Sequence, residues 1–467
     1  MALAPTDFIF SEDQALILHT ASEFARTELL PLDRACDMDE SSVAAILPKL
    51  SEMGFLNLLV PEELGGVGCP YRTFAAIIYE LSVWSASIGV TVAVHSLVGG
   101  IVARFVREPM RSRWLSAWGD PRSFAAFAIS EADAGSDASG VKTTAVEVDG
   151  GFRINGEKMW VTNGLSAGWL FTLVRLAGLP LDKNYCTLMI DARLPGITRT
   201  KIHGKMGIRG SETAVVHFSD VFVPVDHLVG ERGKGLETCL ASLNQGRIGI
   251  AAQATGIGEA CLTEMVAYAK QREQFGRPIA SFQAIGEMIA DSAVELEAAK
   301  ALVWRAACAV DAGETNRSAS SMAKLYASEA ANRIAYRAVQ VHGGAGYVRE
   351  CRVEQLYRDA RITSIYEGTS EIQRIVIARE LAKRAAGGSL LWQHHPFNDH
   401  LCMRRNGHVN RFTLDHLHRD PLNGPCNLRF IDPFRGIDAA GKGIGRLGPD
   451  HRRKRQSFSP LFGGINH

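Results

Sequence analysis

Residues 365–373 read Ile-Tyr-Glu-Gly-Thr-Ser-Glu-Ile-Gln, which sets a carboxylate between an aromatic ring and a Gly-Thr turn. A solvated glutamate needs neither neighbour. One that must take a proton from a bound substrate can use both. The ring walls off water and raises the carboxylate's basicity, while glycine lets a ligand approach the backbone. Glu367 is therefore a candidate general base; the plainer reading is a loop following a helix.

Two further stretches carry possible chemistry. Residues 127–137, "FAISEADAGSD", end an apolar strand in hydroxyl, acid and glycine residues, which can offer Ser130, Ser136 and backbone N–H groups to a ligand. In "MWVTNG" (159–164), strand alternation puts Trp160 and Thr162 on one face. A flat ring beside a hydroxyl donor suits a planar, polar-edged cofactor such as an isoalloxazine. The alternative makes Trp160 a core residue and Thr162 a strand filler.

Three blocks must position these residues, and the pattern implies an α+β chain. Residues 1–120 read as a helical domain. Ser11 is an N-cap followed by acids, with Leu16, Leu18, Ala21 and Phe24 at helical spacing. "PEELGG" (61–66) is a break, and "SIGVTVAVHSLVGGIVARFV" is apolar nearly all round, as in a buried helix. His95 within it reads as a satisfied core histidine. Residues 121–230 switch to a period of two and form a small β domain, barrel-like in outline; Asn155-Gly156 is the strongest hairpin signal there, and Pro224 and Asp226 end the last alternating run. Residues 231–387 return to three- and four-residue spacing and read as a four-helix bundle.

Composition narrows the function classes. With 467 residues the chain holds two or three domains. Its 46% apolar and 22% charged residues are ordinary for a globular enzyme, and a net charge of +1 argues against a dedicated nucleic-acid binder. The nine cysteines form no C-x-x-C pair and suggest reduced thiols in a cytoplasmic protein. The N-terminus shows neither a secretory signal nor a transit peptide, and no uninterrupted apolar run suggests a membrane span.

Residues 388–467 are rich in His, Arg, Asn, Gly and Pro without a sustained period, and are expected to be a low-order tail. Gly443, Gly445 and Gly448 match a dinucleotide fingerprint, but no convincing strand precedes them and Pro449 follows where a helix should begin. His394, His395 and His400 lack the context of a metal site, and "HRRKR" (451–455) reads as a solvated charge run.

"SEADAGSD", "GEKMWVTNG", "KQREQFGRPIASFQAIG", "QVHGGAGY" and "YEGTSEIQR", in this order and at these spacings, closely resemble the acyl-CoA dehydrogenase family. The resemblance spans roughly residues 8–384 and leaves the tail without a counterpart. It implies an FAD-dependent enzyme, usually a homotetramer, that oxidises an acyl-CoA thioester to the trans-2-enoyl-CoA and passes electrons to electron-transfer flavoprotein. Carried over by position, Glu367 matches the base that removes the α-proton. Thr162 matches the hydroxyl bonded to flavin N5, and Trp160 packs on the ring. Phe127, Ile129 and Ser130 match residues at the pyrimidine end. Arg272, Phe275 and Gln283, with Gln340 and Gly344 of a neighbouring subunit, resemble the pyrophosphate and adenosine contacts. Thr369 and Glu371 flank the cofactor. Ser136, Asn244, Arg247 and Gly368 resemble the substrate contacts.

Three positions depart from the common pattern. Ser130-Glu131-Ala132 stands where Thr-Glu-Pro is frequent, and Asn244 where an aspartate often meets the pantetheine. One branch carries its base near position 246; here that residue is Gly246, so Glu367 has no rival and the chain looks most like the short- to medium-chain branch. The alternatives are an oxygen-dependent acyl-CoA oxidase and a catalytically silent relative that binds nucleic acid through its tail.

Overall fold

The structure, a computed structural model, describes residues 10–180, 184–314 and 317–386. The tail from 388 to 467, with its glycine fingerprint, histidines and basic run, lies outside them. The first region contains α1 (Glu12–Phe24), α2 (Leu30–Asp39), α3 (Leu47–Glu52), α4 (Tyr71–Trp84), α5 (Ala86–Phe105) and α6 (Met110–Leu115). Ser11 caps α1 through a full capping box with Gln14, which satisfies two otherwise unpaired N–H groups. Leu18, Ala21 and Phe24 turn toward the core, whereas Leu16 stays exposed.

Helix α5 has a mean hydropathy of 1.8 over a span-length window, but 89% of that window is buried inside the protein. His95 sits in it with no solvent contact. Its Nε2 lies 2.8 Å from the Leu56 carbonyl, its Nδ1 accepts the Ala125 N–H at 3.1 Å, and its ring stacks on Trp118 and Phe124. Burial drives its pKa down to about 4, so it is a neutral core residue tying α5 to the first strand.

The middle region holds β1 (Ala125–Ala128), β2 (Thr144–Val148), β3 (Gly151–Thr162), β4 (Trp169–Leu176), β5 (Tyr185–Asp191), β6 (Ile197–Lys201), β7 (Thr213–Pro224) and β8 (Leu228–Gly233). They form one sheet in the order β6-β7-β3-β2-β4-β5-β8, with β1 parallel to β4. The Asn-Gly signal marks no hairpin. Asn155 and Gly156 lie inside β3 at a register shift, where Asn155 Oδ1 accepts the Asp220 N–H of β7 at 2.9 Å. Gly156 is needed because a Cβ there would come within 2.7 Å of the Thr143 backbone. The hairpin joining β2 to β3 uses Asp149-Gly150 instead, with Gly150 at φ 72°. The turn chemistry was real at both sites; one was spent on a bulge.

The third region comprises α7 (Gly235–Gln271), the short paired strands β9 (Glu273–Gln274) and β10 (Arg277–Pro278), α8 (Gln283–Asp311), α9 (Arg317–His342), α10 (Arg352–Ile362) and α11 (Ser370–Ala386). Helix α9 is central and packs on α7, α8, α10 and α11. Its inner face is mostly alanine and serine, which lets the long helices approach closely. Helices α4 and α5 pack on α7, so the first and third regions share an apolar core.

Candidate active site

The turn between α10 and α11 carries the candidate base. Glu367 and Gly368 are both left-handed, at φ 53° and 86°; a glutamate there is strained, and such strain persists only where the surroundings hold it. They do hold it. Lys324 Nζ of α9 donates to the Gly368 carbonyl at 2.8 Å. Gln373 Nε2 reaches back from α11 to the Glu367 and Gly368 carbonyls at 3.1 and 2.8 Å. Thr369 starts α11, its hydroxyl accepting the Ile372 N–H at 3.4 Å.

The carboxylate points inward. Oε2 is buried and has no hydrogen-bond partner among the described residues, although the residue as a whole keeps some exposed surface. Burial pushes the Glu367 pKa up to about 7, while the Arg247 and Lys324 cations hold back a larger rise. Among the described residues neither cation hydrogen-bonds Oε2; both act on the carboxylate through their charge. Arg247 Nη1 binds Asn244 Oδ1 at 2.9 Å and Ser321 Oγ at 3.3 Å, so Asn244 has turned to the arginine. Across the gap, a Cβ on Gly246 would lie 2.7 Å from Glu367 Oε2 and 3.1 Å from Leu97 Cδ2. The glycine leaves room for the carboxylate. Tyr366 does more than shield: its hydroxyl donates to Gln253 Oε1, and Gln253 Nε2 donates to the Ala86 carbonyl at 2.7 Å.

The second cluster lies where β1 leaves the sheet. Phe127 stacks on Phe171 with centroids 5.4 Å apart, Ile129 is buried, Ser130 is half-buried and Ser136 is exposed. This loop is fastened to β3. Lys158, fully buried, donates to the Ile129 carbonyl at 3.0 Å and to Glu131 Oε1 at 2.7 Å, and the Met159 N–H donates to the Ser130 carbonyl at 2.9 Å. Burial raises the Glu131 pKa, but the bonds from Lys158 and Thr143 outweigh it and keep the carboxylate ionised below its ordinary value.

Strict alternation does not carry to the end of β3. A register shift falls between Lys158 and Val161, with Trp160 left-handed at φ 62°. The bulge turns Trp160 out of the core, 56% exposed, while Val161 is buried and Thr162 half-buried. A core role for Trp160 is thereby excluded.

The third cluster is open. Arg272 ends α7 with an exposed side chain that makes no ion pair or side-chain hydrogen bond among the described residues. Phe275 is 93% exposed at φ 53°, at the tip of the β9–β10 turn. Gln283 begins α8 and bonds only Glu287, at 2.9 Å; Gln340 and Gly344 are exposed near the end of α9. Glu371 is exposed in the first turn of α11, held below its ordinary pKa by N–H groups at the helix start and the Thr369 hydroxyl.

Family models for the acyl-CoA dehydrogenase N-terminal, middle and C-terminal domains match residues 11–119, 126–221 and 233–382 in turn. The chain belongs to the acyl-CoA dehydrogenase family. It is an enzyme and a flavoprotein. The mouse (Mus musculus) mitochondrial short-chain specific acyl-CoA dehydrogenase is 39% identical over 373 residues, 80% of this chain and 90% of that protein. Butyryl-CoA dehydrogenase from Megasphaera elsdenii superposes with a TM-score of 0.78 at 34% identity, covering 80% of this chain and all of the other. A chain in a structure titled for the electron transferring flavoprotein of Acidaminococcus fermentans gives 0.78 at 36%, covering 80% and 99%. PigA, solved with FAD and proline, gives 0.76 at 26%, covering 81% and 100%.

The residues present fit FAD. An unpacked indole stands at a bulge two residues from Thr162, and an uncommitted guanidinium at Arg272 suits a pyrophosphate dianion. Sequence reasoning reached Glu367, Trp160 and Arg272 but missed Lys324, Gln373, Gln253 and Lys158. All four are buried polar residues on helices or strands that read as ordinary core or surface positions. A lysine on the alanine-serine face of α9 was the available signal.

Proposed function

We propose that this enzyme desaturates a short straight-chain acyl-CoA to the trans-2-enoyl-CoA, with Glu367 as the base. One observation carries the reading: a glutamate held in a left-handed turn, with a buried, unpartnered Oε2 and a pKa raised to about 7. A general base works best near the operating pH, and this one is poised there. A thioester α-proton is only weakly acidic, so donors must meet the carbonyl oxygen as charge develops. The Glu367 N–H donates to no described residue and is available for that role. Bound FAD supplies the acceptor for the β-hydride. Trp160, Thr162, Phe127, Ile129 and Ser130 would hold its ring, Arg272, Phe275 and Gln283 its pyrophosphate and adenosine, and Thr369 and Glu371 would flank it. Ser136, Asn244, Arg247 and Gly368 would line the substrate arm.

The short-chain preference is supported by the mouse and Megasphaera relatives. Transfer of electrons to an electron-transfer flavoprotein is supported by the Acidaminococcus likeness. A homotetramer is supported by the exposure of Arg272 and Phe275, with Gln340 and Gly344 of a neighbouring copy completing the adenosine site. The test is anaerobic bleaching of the purified protein by acyl-CoAs of increasing length, followed by reoxidation with electron-transfer flavoprotein or with oxygen. Bleaching by butyryl-CoA and reoxidation by the protein acceptor are expected. Rapid reoxidation by oxygen alone would make it an oxidase, and no bleaching by any acyl-CoA would overturn the assignment.

A further inference from the structure

Among the described residues Lys324 is one of the most completely buried side chains, at 0% exposure, and its ammonium has one hydrogen-bond partner there, the Gly368 carbonyl. Removing an ammonium from water is costly unless its charge is used. As a mere donor it is surplus, because Gln373 Nε2 already serves the same carbonyl at the same 2.8 Å. Its place in the fold gives the charge a use. Arg247 on α7 and Lys324 on α9 both act on the Glu367 carboxylate, yet among the described residues neither bonds its buried Oε2. A direct ion pair would occupy the oxygen that has to accept a proton. A cation standing off leaves Oε2 free while still favouring the ionised form.

We propose that Lys324 is a positioning residue for the base: it pins the left-handed Glu367–Gly368 turn through the Gly368 carbonyl and keeps a positive charge near the carboxylate without bonding to it. This rests on the reading of Glu367 as the proton acceptor. The charged and titratable groups around that carboxylate are Arg247 on α7, Tyr71 on α4, Lys324 on α9 and the adjacent Tyr366, while α5 contributes the apolar Leu97. Glu371 and Glu329 act on Lys324 in turn. Burial draws the Lys324 pKa down to about 8, with Arg247 acting in the same direction, while Glu367 and, more weakly, Glu371 and Glu329 oppose that fall.

The test uses the FAD-loaded enzyme and an acyl-CoA with oxygen in place of the β-carbon, which cannot be desaturated. Glu367 takes its α-proton, the C–H electron pair stays on the thioester as an enolate, and return of a deuteron from D2O is read by NMR. FAD content and melting temperature are measured alongside. K324M is expected to keep its flavin but to exchange at least ~10-fold more slowly at pH 7, with the rise of rate with pH displaced upward, because losing a nearby cation raises the base's pKa. K324R, which retains the charge, is expected to keep the parent's pH profile at a lower rate. It decides the matter if K324M does not fold: a profile displaced despite the retained charge overturns the proposal. So does a folded, yellow K324M with the parent's rate and profile. E367Q separates the two readings. If it still exchanges at the parent's rate, Glu367 is not the base and the role of Lys324 falls with it; if only K324M is unaffected, only the inference about Lys324 fails.

Discussion

The two ends of the cofactor site are built on opposite principles. Around Glu367 the turn is held from several sides, with two donors on one carbonyl, two buried cations near the carboxylate and a tyrosine bonded to a buried glutamine, while Oε2 itself is left without a partner. Around Arg272 almost nothing is held in this way. The arginine is unpaired among the described residues, Phe275 projects into solvent, and the backbone of the β9–β10 turn is exposed. The reacting end needs fixed geometry, since a base misplaced by an ångström loses much of its advantage. The proposed dinucleotide end needs only charge and contact, which the ligand and the proposed neighbouring copy would bring. On the proposed function, a single chain would hold the whole proton-transfer end and only part of the binding end.

The largest break in that contrast should come from E367Q. Glutamine keeps the shape of the turn and removes the base, so substrate-driven flavin reduction should fall by at least ~10²-fold, the lower range of what a positioned base contributes. FAD content and acyl-CoA affinity should survive. Reduction at the parent's rate in stopped-flow absorbance would remove Glu367 from the mechanism.

The same substitution should change the pH dependence of stability. A carboxyl whose folded pKa is raised to about 7 stabilises the protein below the unfolded value near 4 and loses that contribution as pH rises through about 7. The parent therefore carries a penalty at pH 8 that E367Q lacks. The variant should be more stable by on the order of 2 kcal/mol at pH 8, and by almost nothing at pH 4. Denaturant melts of both proteins at the two pH values check this; an equal gain at both would mean that packing, not ionisation, is responsible.

How far the chain could be read in advance follows the same divide. Motifs at turns were legible, because a turn residue announces itself by type: the Ser11 N-cap and the Glu367-Gly368 turn stand where the sequence put them, though sequence reasoning missed the Gln14 half of the capping box. What the signals were used for was less legible. Asn155-Gly156 reads as a hairpin but serves as a bulge, because Asn155 is bonded across to Asp220 and Gly156 passes against Thr143. The same strand is irregular between Lys158 and Val161, which simple alternation did not foresee, yet Trp160 and Thr162 flank buried Val161 and both lie outside the core. Lys324 and Lys158 were invisible for a different reason. Lysine is almost always exposed, and only tertiary structure shows which one is surrounded.

At the open end, R272A should weaken FAD binding by about 10-fold or more, as expected for loss of a charge-assisted hydrogen bond to a phosphate. Because a neighbouring copy is proposed to complete that site, the loss should deepen on dilution of the protein. Flavin release measured by fluorescence at two protein concentrations checks both points. A variant that holds FAD as tightly as the parent would place the pyrophosphate elsewhere.

The smallest effect should come from E371Q, which probes where the committed end stops. Glu371 lies four residues after the base, in the first turn of α11, and belongs to the same motif, so sequence alone gives the two carboxylates similar standing. Their surroundings do not. Glu371 is exposed, its pKa is lowered instead of raised, and its interactions are with helix-start N–H groups and the Thr369 hydroxyl. A carboxylate stabilised in its ionised form by solvent and a helix N-terminus is a poor proton acceptor near pH 7. Its replacement should change the rate of flavin reduction by less than ~3-fold, far below the range of a positioned base, and leave the pH profile in place. Any loss should appear in flavin retention, since Thr369 and Glu371 flank the proposed cofactor site. If E371Q lowered reduction as far as E367Q while keeping its flavin, burial would not be what distinguishes the two glutamates, and the turn around Gly368 would have to work as one unit.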